Sequence, residues 1–129
     1  MELLLEFSDS EVARVEQLDG LLRVRFSAAC VVRTAALSQP REHGYAQSVE
    51  LLLFGATATE APAGLIGRVV QGRIAVSGRW AARLALPGRI DAPVQLELSF
   101  AHHGTLTAQG SGVACRFVGD PNFSESLAC

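Results

Sequence analysis

Hydrophobic and polar residues alternate with a period of two along most of this chain. The pattern is cleanest at 94–100, where Val94, Leu96, Leu98 and Phe100 share one parity and Gln95, Glu97 and Ser99 take the other. Such alternation predicts a strand with one buried face. Leu22, Val24, Phe26, Ala28, Cys30 and Val32 share a parity in the same way, opposite Arg23, Arg25, Ser27 and Arg33. That run is long for one strand, so a bend or bulge is expected at Ser27-Ala28-Ala29.

Residues 2–7 and 11–18 are expected to form an opening pair turned at Ser8-Asp9-Ser10, and Asp19-Gly20 is the strongest turn signal. Val49, Leu51 and Leu53 alternate with Ser48 and Glu50 and favour a strand; Glu50, Leu51 and Phe54 also have helical spacing, so a short helix over 47–54 stays open. Residues 65–70 and 73–80 read as a hairpin around Gln71-Gly72, with Ile74, Val76 and Trp80 on one face and Arg73, Ser77 and Arg79 on the other. Leu84 and Leu86 continue toward Pro87-Gly88. His103-Gly104 turns the 94–101 strand into 105–109, and Val113, Cys115 and Phe117 make a last strand. Residues 34–46, with Pro40 and Gly44, read as a long loop. The count is eight to ten strands, mostly antiparallel, with closely spaced turns. It predicts an all-β fold, a single-domain antiparallel β-sandwich or small β-barrel spanning 1–129.

Composition supports a globular chain: of 129 residues 49% are hydrophobic and 19% charged. All 11 basic residues are arginine. Without lysine there is no Schiff base, no lysine general base and no P-loop lysine. The opening Met1-Glu2-Leu3-Leu4-Leu5-Glu6-Phe7 lacks the basic region and apolar run of a secretory signal, and no stretch is long and apolar enough for a membrane helix. These features lead to the expectation of a cytoplasmic protein with no membrane partner. The three cysteines, Cys30, Cys115 and Cys129, are too few and too scattered for a disulfide framework or a zinc ribbon, and Cys30 and Cys115 share the parity of apolar neighbours.

Charge is unevenly distributed. The net charge of −2 divides into −5 over residues 1–20, +6 over 21–89 and −3 over 90–129. If the basic middle strands are neighbours, Arg23, Arg25, Arg73, Arg79 and Arg83 form a patch whose guanidinium forks suit a small anionic ligand, with Trp80 and Tyr45 as lining. The simpler account is that these arginines solvate an outer face and pair with glutamates across strands. Nucleic acid is not expected as a partner, because the chain is acidic overall and has only eight aromatic residues.

No catalytic constellation emerges. His102 and His103 are adjacent and would point to opposite faces of a strand, and His43 lies far away in sequence. No HxH or HxxxH spacing suggests a metal site, and no loop suggests a cofactor. Ser77 and Ser111 sit in no nucleophile elbow. The leading expectation is therefore a non-catalytic protein-interaction or oligomerising module, binding a protein partner or its own copies. Two alternatives stand beside it: a barrel that binds a small anionic molecule through arginine, and an enzyme using His43, His102 or His103 as acid–base.

Overall fold

A computed structural model describes residues 3–33, 43–58, 64–102 and 104–119, with the side chains of 43–45 excepted. Among the described residues every regular element is a strand. In chain order they are β1 (Leu3–Leu18), β2 (Leu21–Arg33), β3 (His43–Phe54), β4 (Thr57–Ala58), β5 (Gly67–Val76), β6 (Arg79–Ala81), β7 (Arg83–Ala85), β8 (Gly88–Ile90), β9 (Val94–Phe100), β10 (Thr105–Gly110) and β11 (Gly112–Phe117). All pairings are antiparallel, in the order β4-β10-β9-β5-β1-β2-β3-β11-β8, with β6 added to β5 and β7 to β1. The sheet is not closed by hydrogen bonds. It folds over, because β3 leads through Gly55-Ala56 into β4, which sits at the opposite end of the strand order. One apolar cluster takes residues from both halves, among them Leu5, Phe7, Val24, Leu51, Ile74, Leu96, Leu98 and Leu106. Each such fully buried side chain contributes about 1.5–3 kcal/mol. The fold is thus all-β and sandwich- or barrel-like, as the alternation predicts, and the segment 47–54 is strand.

Two expected turns are not turns. The opening pair is one strand, β1, which pairs with β2 along its length. At Ser8-Asp9-Ser10 it carries a wide bulge. Glu6 pairs with Cys30 and Glu11 with Ala28, so the four residues 7–10 face Ala29 alone. Asp9 takes a positive φ of 67° there. The bulge is held by Ser10, a fully buried serine whose Oγ donates to the Glu6 carbonyl at 2.6 Å and accepts the Cys30 N–H at 2.8 Å. It also lets β1 change neighbours: β7 at Leu4–Glu6, β5 at Glu11–Val12.

The second missing turn is Gln71-Gly72. Chain β5 runs straight through it, with an irregularity between Val69 and Gln71 against β9. The turn falls later, at Ser77-Gly78, both with positive φ (50° and 83°), the backbone a tight hairpin needs. A two-residue turn pairs Ala75 with Trp80 and Val76 with Arg79. Parity reverses through such a turn, so Trp80 shares a face with Arg73, not with Ile74 and Val76. The expected face of Arg73, Ser77 and Arg79 is corrected accordingly.

The bend in β2 lies where the small residues place it, between Phe26 and Ala29. After it the core takes Ala29 and Val31, while Cys30 and Val32 are buried outside the main cluster. Of the expected 34–46 loop, 43–46 belong to β3, and 34–42 lie outside the described residues. The strands without a counterpart in the expected pattern are β4 and β8, too brief to show an alternation.

Candidate functional site

The arginines singled out by the sequence are distributed over separate strand pairings. Arg23 on β2 reaches Glu16 of β1 at 3.1 Å and Glu50 of β3 at 3.7 Å. Arg25, also on β2, sits in register between Arg14 and Glu50. Arg83 on β7 lies 3.4 Å from Glu6 of β1. Arg73 on β5 is 2.8 Å from Glu97 of β9, and its guanidinium stacks 4.0 Å over the Trp80 ring. Arg79 is exposed on β6. Of the proposed group, Arg23 lies beside Arg25, and Arg73 meets Trp80. The side chain of Tyr45 lies outside the described residues.

Further pairs follow the same rule: Arg68 with Asp9 at 3.2 Å, Arg116 with Glu50 at 3.3 Å and Arg89 with Asp91 at 3.1 Å. Carboxylates from the acidic N-terminal stretch therefore meet guanidinium groups from the basic middle. Most of these pairs are solvated and contribute up to about 1 kcal/mol each.

Grooves on the described surface include two beside these strands. The first holds about 320 Å³ and is lined by Gln71, Gly72, Arg73, Glu97 and Ser99. Its charge is already balanced by the Arg73–Glu97 contact. The second holds about 520 Å³ and runs along β1, lined by Ala13 to Leu18 on one side and by Gly64 and Ile66 on the other. Its origin is topological. β5 pairs with β1 only at Glu11 and Val12, and Gly67, with φ +101°, turns the preceding chain away. Beyond Val12, β1 has β2 on one side and, among the described residues, no strand on the other. Leu18 and Ile66 at this groove are 43% and 46% exposed.

The nucleophile and acid–base candidates do not assemble. Cys115 is buried and donates its thiol to the Ala85 carbonyl at 3.0 Å. Burial pushes its pKa up to about 12 against a weaker lowering by the Gly88 backbone, so it is a neutral thiol at neutral pH. Ser111 Oγ donates to the Phe54 carbonyl at 3.2 Å, and Ser77 serves the β5–β6 turn. His102 is exposed beside the β9–β10 turn; His103 and the His43 side chain lie outside the described residues. Among the described residues no three His, Cys, Asp or Glu side chains gather as a metal set. No described helix is long and apolar enough to cross a membrane.

The sequence reasoning missed Ser10 and the open edge of β1. Ser10 is masked as a turn residue by its neighbours Ser8 and Asp9. The open edge depends on where β5 departs, a long-range fact that no local pattern encodes. No protein-family model matches the chain, and no curated protein or solved structure matches it significantly.

Proposed function

We propose that this chain is a non-catalytic β-domain that works through protein–protein contact at a sheet edge, with self-association included. The observation that supports this most is the β1 groove, where a strand edge flanked by two exposed apolar side chains has no strand partner among the described residues. Such an edge is a template for an added strand, which gains main-chain hydrogen bonds and side-chain pockets together. Cys30 and Cys115 are buried thiols outside any disulfide, which suits a reducing compartment, and the cytoplasm is the location this reading takes.

A second reading has one specific observation behind it. Arg73 over Trp80 beside a polar groove suits a small anionic ligand. Against it, any such anion competes with Glu97 for the same guanidinium.

The test is sedimentation velocity from micromolar to submillimolar protein, run with affinity capture from a cell extract. Concentration-dependent association, or a retained protein displaced by excess untagged domain, is expected. A strict monomer that retains nothing rejects the reading. Titration with small anions such as phosphate or citrate, followed by Trp80 fluorescence, separates the second reading from the first.

A further inference from the structure

The edge Ala13–Leu18 is complementary to itself, and we propose that its occupant is the same edge of a second copy of this chain. The inference rests on the interaction reading above and names the partner. Leu18 and Leu21 flank the two-residue turn Asp19-Gly20 as a pair, and the register continues with Gln17 opposite Leu22, Glu16 opposite Arg23 and Val15 opposite Val24. In an antiparallel hairpin the pair that closes a two-residue turn is hydrogen-bonded, and alternate residues turn their backbone groups to the other side. Gln17 and Val15 therefore direct their N–H and C=O groups away from β2, into the groove.

An antiparallel pairing of two such edges has a twofold axis. With that axis at Val15, Val15 bonds Val15 of the second copy in both directions, and Ala13 faces Gln17. Arg14 then lies opposite Glu16, and by symmetry Glu16 lies opposite Arg14. Both side chains point outward, since Val15 between them is buried in the core. In the single chain Glu16 is held by Arg23 at 3.1 Å and is also contacted by Arg14 Nε at 3.0 Å; Arg14, 68% exposed, is the member that turns to the Glu16 of the second copy across the axis. Leu18 and Ile66 flank the seam and lose water when it closes. Opposite charges facing each other across strands stabilise, and like charges destabilise. Sequence and register thus define one alignment in which both charge pairs are matched.

The decisive experiment uses charge reversal in two complementary variants of the full chain, Glu16→Arg and Arg14→Glu, measured by sedimentation equilibrium. The wild type is expected to dimerise. Each variant alone sets like charges opposite each other twice and is expected to weaken the dimer by about tenfold or more. An equimolar mixture restores opposite charges at both positions and is expected to recover wild-type affinity as a heterodimer. A thermal melt of each variant checks folding, and Arg14→Glu, which removes a largely exposed side chain and its solvated contact with Glu16, keeps the test open if Glu16→Arg is unstable. A wild-type dimer insensitive to both reversals, or a mixture without recovery, overturns the edge assignment and leaves self-association standing elsewhere. A monomeric wild type overturns the second-copy proposal outright; if it also captures no other protein, the interaction reading falls with it.

Discussion

Ser10 shows how much can depend on one hydroxyl. Its Oγ accepts from the Cys30 N–H at 2.8 Å and donates to the Glu6 carbonyl at 2.6 Å, in a site from which water is excluded. Replacing it with alanine leaves a buried N–H without a partner and frees the bulge. Unsatisfied buried groups cost about 1–3 kcal/mol, so Ser10→Ala is expected to lower the unfolding free energy by that amount, read as a lower denaturant midpoint at an unchanged m-value. A loss below about 0.5 kcal/mol, the usual size of a surface substitution, would show that the bulge holds itself. This role was not legible in the sequence. Ser8-Asp9-Ser10 has the composition of a turn, and composition does not distinguish a chain that reverses from one that bulges and continues. The inward faces were legible: Val94, Leu96, Leu98 and Phe100 are all buried, as their alternation predicts.

At the scale of elements, β5 shows where period-two reasoning stops. Its glycine suggested a turn, yet Gly72 lies within the strand because nothing larger fits. A Cβ there would stand 2.5 Å from Phe7 Cβ and 2.8 Å from Leu98 Cδ2. Phe7 Cβ is tied to the backbone of β1 and cannot swing aside, so the two strands would have to separate. Gly72→Ala is therefore expected to destabilise by about 1–3 kcal/mol, the range for an overpacked core, although alanine ordinarily suits a strand better than glycine. Chemical denaturation checks this, and a neutral or stabilising result would mean that β5 and β1 yield easily. The face of Trp80 went astray for a related reason. Alternation in the sequence runs straight through Ser77-Gly78, whereas the two-residue turn there reverses it. Once the turn is located, the Arg73–Trp80 contact follows from the register.

At the scale of the molecule, the separation of charge along the sequence becomes pairing in the fold. The acidic strand β1 lies between β2 and β5 and also meets β7, so Glu16, Asp9 and Glu6 face Arg23, Arg68 and Arg83. The simple account, arginines solvating an outer face and pairing across strands, describes what these side chains do. The all-arginine inventory has a further consequence for the response to alkali. Arginine stays charged throughout the accessible range, the chain has no lysine, and it has one tyrosine, so few groups change charge above neutrality. Cys115 does. Its pKa is raised by burial from 9.0 in the open chain to about 12 in the folded one. The folded state thus holds its proton where the unfolded state has released it. Stability from this group is complete below about pH 9 and declines as pH rises toward about 12, by at most about 1.4 kcal/mol per pH unit. Melting temperature is expected to fall across that interval in the wild type and to fall less steeply in Cys115→Ala, whose cavity lowers stability at every pH without the proton linkage. Parallel slopes for the two proteins would show that the thiol is not the group responsible. The same burial predicts that a thiol reagent modifies Cys115 at the rate of global unfolding, and faster labelling would place the β11–β8 pairing in a separately opening unit.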